Sequence, residues 1–318
     1  MNKILITGGL GYVGGRIADD LMRTRPDLRV VLGAHSKRPL SPEWARNAEI
    51  VPFSMEAPET MMQALAGVTD VIHLATLDES AMLADPEWAW RVKAMGSFEL
   101  LKACRAQGVK RLIYFSTYHV YGSGAKSPIS EISPTRASHP YSATHRATED
   151  MIQFFADHHG LQTAVFRLSN GYGYAMDSDI KRWNLVFNDL CRQAVLTGKI
   201  VLKSNGEQSR DFISLGDVAR AVQHFLFNIP DNWGDGLYNL GGECSLTILA
   251  AAHRVAEVYK KIYHTPLHSI VVNEADKTPN RGSVIYDISK LKATGFRLAG
   301  NMDEEIEKTL NLCESLKQ

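Results

Sequence analysis

An apolar run, Ile4-Leu5-Ile6, leads through Thr7 into Gly8-Gly9-Leu10-Gly11-Tyr12-Val13-Gly14. Behind the turn, Ile17, Leu21 and Met22 recur at the spacing of one helix face. The pattern predicts a strand, a tight turn and an amphipathic helix. It repeats down the first half of the chain. Arg29–Gly33, Ile50–Phe53, Val71–Ala75, Arg111–Ser116 and Thr163–Arg167 read as strands. Long helical patterns run from Glu87 to Ala106, stopping before Gly108, and from Tyr141 to His158. Such alternation predicts a parallel sheet covered by helices on both faces, with ligands beyond the carboxyl ends of the strands. After about residue 170 the alternation weakens. Helical patterns follow at Asn184–Thr197, Asp217–Phe227, Leu246–Lys261 and about Asp303–Leu316, with short strands between them. There is no repeat, low-complexity tract or flexible linker, so the change of pattern marks the boundary.

The glycine spacing gives the opening turn a chemistry. Gly8, Gly11 and Gly14 form G-x-x-G-x-x-G after a strand. Such glycines allow a tight turn, close backbone approach to a pyrophosphate and tight helix-on-strand packing. The helix N-terminus adds unpaired N–H groups and a positive dipole end. Dinucleotide binding is the expectation; the alternative is a strand–turn–helix that binds nothing. Residues 1–170 then form a dinucleotide-binding domain. Residues 171–318 are mainly a substrate-binding part, with some segments returning to the sheet. The cleft between them is the expected substrate site.

Composition narrows the classes. The 35 basic residues balance the 35 acidic ones, which leaves no basic footprint for nucleic acid. No apolar run approaches a membrane span. The chain enters a strand at once, so no signal peptide is expected. Cys104, Cys191, Cys244 and Cys313 are scattered, reading as reduced thiols of a cytoplasmic protein. The histidines lack metal-ligand spacing, and no metal is expected.

Three stretches converge on the carboxyl edge of the sheet. Ser116-Thr117 ends a strand, where a hydroxyl can donate to a substrate oxygen or simply cap the strand. Tyr141 and His145 lie one helical turn apart. A nearby cation lowers a phenol pKa, so tyrosine and cation at this spacing make a proton-transfer pair; an unrelated histidine is the alternative. Arg210 and Arg281 precede a helix and a Tyr-Asp turn. Arginine is a bidentate phosphate partner, or forms a surface ion pair.

Together these motifs identify the chain, over nearly its whole length, as similar to the extended short-chain dehydrogenase/reductases of the NAD-dependent epimerase/dehydratase group. Thr7–Gly14 resembles T-G-G-x-G-[FY]-[IV]-G, and Val71–Ala75 resembles V-I-H-L-A. Ser116-Thr117 with Val120-Tyr121-Gly122 resembles S-[ST]-x-x-V-Y-G, and Tyr141 falls on the tyrosine of Y-x-x-x-K. Arg167–Gly173 resembles R-x-x-N-x-Y-G, while Arg210–Ile213 and Asp217–Ala219 resemble R-D-[FY]-[IV] and D-V-A. The resemblance implies a Rossmann-type α/β fold, a doubly wound parallel sheet with a smaller C-terminal α/β substrate-binding part. It implies NAD or NADP held by Gly8, Gly11, Tyr12, Val13, Gly14, Ser54, Leu74, Ala75, Thr76, Ser116, Tyr141 and His145. It implies a nucleotide-sugar substrate held by Thr117, Tyr118, His119, Asn170, Arg210 and Arg281. Tyr141 would take a hydroxyl proton while hydride passes to the nicotinamide, with Thr117 holding the oxygen. The resemblance also implies a homodimer through the helices near 87–106 and 141–158, where Trp88, Phe98, Leu101, Ile152, Phe154 and Phe155 offer apolar surface or face the protein's own core.

Departures from the family pattern shape the expectation. His145 replaces the lysine, and Lys93 replaces the asparagine of N-x-x-G-[ST] on the preceding long helix. Lys93 is expected to supply the missing cation; a solvated lysine is the alternative. Gly33 stands where an acidic residue usually grips the ribose of NAD, followed by His35, Lys37 and Arg38, which favours NADP. Ser54 replaces an adenine-side aspartate. Tyr118 and His119 replace the acidic pair of the 4,6-dehydratases, so elimination is disfavoured. The expected activity is that of an epimerase or 4-keto-reductase. The alternatives are an NADPH-dependent reductase of another carbonyl compound, and a catalytically weak cofactor-binding sensor or scaffold.

Overall fold

The structure, a computed structural model, describes residues 2–35, 42–180, 182–277 and 282–317. Its centre is a seven-stranded parallel sheet. The first six strands are β1 (Lys3–Thr7), β2 (Arg29–Ala34), β3 (Glu49–Pro52), β4 (Asp70–His73), β5 (Arg111–Thr117) and β6 (Gln162–Leu168). Three short strands follow: β7 (Asn170–Tyr172), β8 (Lys199–Val201) and β9 (Ser209–Ser214). The chain then returns to the sheet as β10 (Leu237–Leu240), which pairs parallel with β6. The resulting order is β3-β2-β1-β4-β5-β6-β10. β1 lies between β2 and β4, so the winding reverses at β1 and opens a crevice at its carboxyl end.

Side-chain alternation divides the core. Ile4, Ile6, Ile72, Ile113 and Phe166 enter one apolar cluster, while Leu5, Val31, Val71, Leu112 and Val165 enter the other. The first face is covered by α1 (Tyr12–Thr24) and, from the second half of the chain, by a later helix at Leu215–Gln223. The second face is covered by α2 (Pro58–Ala64) and two long helices. Burial on both faces explains why the strands read as apolar runs.

The helix expected over 87–106 is longer and interrupted. After the short α3 (Glu79–Ala84), α4 (Pro86–Ala89) passes into a π turn at Trp90–Met95 and then into α5 (Gly96–Gln107). Gly108 ends it with a left-handed φ of 71°. A π turn inserts a residue and re-aims its neighbours. Here Lys93 points into the protein and is 1% exposed, so the solvated-lysine alternative is excluded. The next long helix, α6 (Pro140–His159), opens with Tyr141 in its first turn. The His139 ring nitrogen accepts from the Tyr141 N–H, and Pro140 occupies the first turn.

The second half has its own core, centred on Phe187, Leu190, Val255, Ile306 and Leu310. It joins α7 (Val186–Thr197), α9 (Ile248–Tyr263) and α11 (Met302–Glu314), α8 and α10 being Leu215–Gln223 and Ser289–Ala293. β11 (Ser245–Thr247) pairs with β9, and β12 (Ser269–Val271) with β8. A buried Arg16–Glu305 pair, 2.8 and 2.7 Å on its two arms, ties α1 to α11. Its bidentate geometry is what repays the desolvation of both charges.

Candidate active site

The glycine turn lies at the crevice. Gly8 has a φ of 71°, and its carbonyl accepts from the Gly11 N–H at 2.9 Å. Gly11 caps α1 without a side chain, leaving the helix N-terminus open to a ligand. A Cβ on Gly14 would stand 2.3 Å from the Gly8 carbonyl oxygen, so only glycine fits there. This is a cradle that side chains would fill, and it suits a pyrophosphate. Tyr12 contributes no hydroxyl to it. That group is buried and donates to the Gly173 carbonyl at 2.6 Å, pinning the turn to the second half of the protein. Val13 stays partly exposed in the first turn of α1.

The opposite wall is the segment after β4. The Leu74 and Ala75 N–H groups both donate to Thr7 Oγ1 at 3.1 Å. That leaves the Thr7 proton for His73 Nδ1, 2.7 Å away. His73 Nε2 therefore carries its hydrogen and donates to Ser97 Oγ at 3.1 Å, while Ser97 donates to the Lys93 carbonyl. Burial, with Lys93 nearby, holds His73 well below the usual imidazole range, in keeping with this neutral tautomer.

Thr117, at the end of β5, accepts the His119 N–H at 3.2 Å, and its side chain is near enough to Tyr141 to favour the phenolate. Burial first, then Glu79, push the Tyr141 phenol up to about 12, while Arg182 and Thr117 pull it down. The N-terminus of α6 adds a further pull toward the phenolate. The His145 ring lies 4.6 Å from the Tyr141 ring, centroid to centroid. Its Nδ1 is 2.7 Å from Tyr114 Oη, and its Nε2 is 3.5 Å from Thr76 Oγ1. Burial, reinforced by Lys93, keeps His145 well below the usual range and hence neutral. Lys93 donates to the Ala75 carbonyl at 2.9 Å and lies 4.8 Å over the Tyr114 ring. Burial lowers its ammonium pKa to about 7. Lys93, Tyr114 and His145 thus form one buried succession that ends on the half-buried Tyr141. Lys93 meets Tyr141 through the two intervening rings and not directly.

Other expected residues separate into those facing the cleft and those used by the fold. The Ser116 hydroxyl turns inward to Glu149 at 2.5 Å, and Arg167 clasps the same carboxylate, so Ser116 offers only its backbone. Ser54 accepts from the Glu56 N–H in a local turn. Asn170 spends its amide N–H on the Asp211 carbonyl at 2.9 Å. The Arg210 side chain makes no hydrogen bond among the described residues, and its charge reaches Tyr118 and His119. Gly33 lies inside β2 with Phe53 where a side chain would go, 2.9 Å from a built Cβ, so packing excludes an acidic residue there. His35 is exposed at the end of that strand. Lys37, Arg38 and Arg281 lie outside the described residues. Glu79, Arg182 and Tyr114 are additions that no local motif marks, because each reaches the site from a separate element; His73 is an addition from within the V-I-H-L-A strand. Thr76, Leu77, Trp88, Arg182 and Trp183 line an open cleft of about 770 Å³ between the sheet's carboxyl edge and the second half.

A dinucleotide cradle at the winding reversal, beside a neighbouring tyrosine and threonine, defines a nicotinamide-dependent enzyme of the doubly wound α/β class. The family model described as the NAD dependent epimerase/dehydratase family matches residues 4–241, and the chain belongs to that family. A putative UDP-glucose 4-epimerase of Methanocaldococcus jannaschii is 24% identical over 97% of each chain. The UDP-glucose 4-epimerase of Thermus thermophilus, solved in complex with NAD, is 26% identical, covers 98% of this chain and 99% of its own, and superposes with a TM-score of 0.79. RMD from Pseudomonas aeruginosa, complexed with NADPH, shares the fold at 20% identity, with a TM-score of 0.81 over 99% of this chain and 100% of its own. Among the described residues no helix is long and apolar enough to cross a membrane.

Proposed function

We propose that this protein is a nucleotide-sugar 4-epimerase or 4-keto-reductase working through hydride transfer at a sugar carbon. The approach of Thr117 to Tyr141 beside the glycine cradle carries the reading. Tyr141 takes the proton of the sugar hydroxyl, and Thr117 holds the same oxygen. A nicotinamide dinucleotide held at the cradle of Gly8, Gly11 and Gly14 would supply the hydride acceptor. Lys93 and His145 together replace the family lysine: His145 packs on Tyr141, and Lys93 supplies positive charge behind it. Tyr118, His119 and Arg210 face the sugar diphosphate, with Asn170 at the edge of that site and Arg281 as the further phosphate partner.

For the cofactor, NADP is the proposal. Gly33 leaves no acidic side chain inside β2 to repel a 2′-phosphate, and His35 ends the strand. Calorimetric titration should find NADPH bound about tenfold tighter than NADH, the worth of one charge-assisted contact. Tighter NADH would overturn the preference. In the same preparation, UDP-glucose should be converted at C4, and Tyr141→Phe should lower kcat by about 10²-fold or more. Cofactor binding without reaction on any nucleotide sugar would favour the sensor or scaffold reading instead.

A homodimer through the two long helices is also proposed, on a revised surface. Leu101, Ile152 and Phe155 are in the core, and Phe98 packs against it. Trp88 is half-buried and donates to Glu56. Phe154 remains 47% exposed on α6, joined by Trp90 at 44% and Met95 at 50% on the π turn. Light scattering should give twice the chain mass; a monomer at all concentrations would refute it.

A further inference from the structure

Tyr114 lies in the middle of β5, fully buried, and takes no part in the hydride chemistry above. Its ring is stacked between two imidazoles, with centroids 5.4 Å from His73 and 5.7 Å from His145. The Lys93 ammonium stands over the same ring at 4.8 Å. These neighbours come from β4, α6 and the π turn, so one side chain joins three elements. Its hydroxyl reaches His145 Nδ1 at 2.7 Å.

The protons at this junction can be counted. Burial first, reinforced by Glu149 and Tyr141, holds the Tyr114 phenol well above its ordinary range, so the hydroxyl keeps its proton. Burial, reinforced by Lys93, keeps His145 neutral, so its ring carries one. A proton on Nδ1 would leave Nε2 as a bare acceptor facing Thr76 Oγ1, 3.5 Å away. Thr76 gives its own proton to the Leu77 carbonyl at 3.3 Å, so two lone pairs would oppose each other. A proton on Nε2 makes both contacts complementary: the Tyr114 O–H donates to Nδ1, and the Nε2–H faces Thr76 Oγ1. The nearby Thr148 hydroxyl spends its proton on the Thr144 carbonyl at 2.9 Å and offers none to the phenol. Thr76 lines the cleft and follows Ala75 on the wall opposite the cradle, so the Nε2–H lies on the cleft side of the ring.

We propose that Tyr114 is a positioning residue that locks His145 in one tautomer, as an N–H donor toward an acceptor oxygen of the dinucleotide bound in this cleft. The inference rests on the reading of His145 and Lys93 as joint substitutes for the family lysine. A lysine ammonium carries its charge and its donors on one atom. Here the two tasks are divided. His145 donates while neutral, and Lys93 carries the charge. Tyr114 joins them, its hydroxyl holding the imidazole and its face the ammonium. An imidazole without such a lock exchanges between two tautomers, one of which turns a lone pair toward the ligand oxygen. The hydrogen bond at one ring nitrogen thus decides what the other can do.

Nitrogen NMR of the full chain, labelled at its histidines, reads the lock directly. The His145→Gln variant assigns the His145 signals by their disappearance. In the wild type, long-range proton–nitrogen correlations should show a single His145 tautomer, with the proton on Nε2 and a hydrogen-bonded Nδ1. Tyr114→Phe keeps the ring between His73 and His145 and beneath Lys93, and removes only the hydroxyl. Its Nδ1 signal should move to the position of a nitrogen that accepts no hydrogen bond. Calorimetric titration of this variant should find NADPH bound about three- to tenfold more weakly, the worth of one neutral hydrogen bond. A proton on Nδ1 in the wild type overturns the proposal whether or not the variant folds. So does an unmoved Nδ1 signal or wild-type NADPH affinity in Tyr114→Phe, the result of a merely structural tyrosine. The spectrum needs no turnover, so a failure to convert UDP-glucose counts against the proposed function alone.

Discussion

Lys93→Met is expected to abolish turnover while raising the melting temperature at neutral pH. Methionine matches the length and apolar stem of lysine, so the substitution removes the charge and the bond to the Ala75 carbonyl but little volume. Burial takes the ammonium from 10.5 to about 7. That shift is the cost of holding the cation in the interior, on the order of several kcal/mol. Methionine removes this cost and leaves one carbonyl unpaired, at about 1–3 kcal/mol. The first effect is larger, so a gain of several degrees is expected in a thermal melt. The sign with pH follows. Between about 7 and 10.5 the unfolded chain binds a proton at Lys93 that the folded protein does not, so wild-type stability rises with pH across this window. The variant should lose that rise. Activity should fall by about 10²-fold or more if Lys93 supplies the charge behind His145 and Tyr141. Full activity would sink the role, and a lowered melting point would sink the burial argument.

The second large effect is at the cradle. Gly14→Ala should weaken cofactor binding by about tenfold to a hundredfold, from about 1–3 kcal/mol of overpacking. The added Cβ would meet the Gly8 oxygen at 2.3 Å, with the Gly8 carbonyl carbon and Gly9 Cα at 3.0 Å. All three are backbone atoms, so no side chain can swing aside. The turn must open, and the N–H groups at the start of α1 move with it. Gly124→Ala is the control, because nothing lies within 4 Å of its Cβ position and its φ is not left-handed. Titration with NADH and NADPH reads both variants, and wild-type affinity in Gly14→Ala would refute the packing argument.

The legible part of this protein was local. Apolar runs buried on both faces announced β1, β4, β5 and β6, because a strand in a parallel sheet has no polar face. Gly108 marked a helix end, since it adopts the left-handed conformation that glycine tolerates. Thr117 and Tyr141 could be named as partners because each sits beside a recurring local pattern. Their proximity could not be read, as it brings the end of β5 to the start of α6.

What only the tertiary structure decided concerns groups whose meaning depends on distant neighbours. Lys93 has the composition of an exposed helix residue, and a π turn sends it inward under Ala75 and Tyr114. Tyr12 and Ser116 belong to cofactor motifs, but their hydroxyls are spent on Gly173 and Glu149. Glu79 and His119 are 40 positions apart and meet only because β4 and β5 are adjacent in the sheet. By itself the sequence determined the alternating fold and its glycine cradle, since periodicity and backbone freedom are properties of short segments. The burial of Lys93, the neutrality of His145 and the approach of Glu79 to His119 were decided by packing, because desolvation and through-space charge act between elements that the chain order keeps apart.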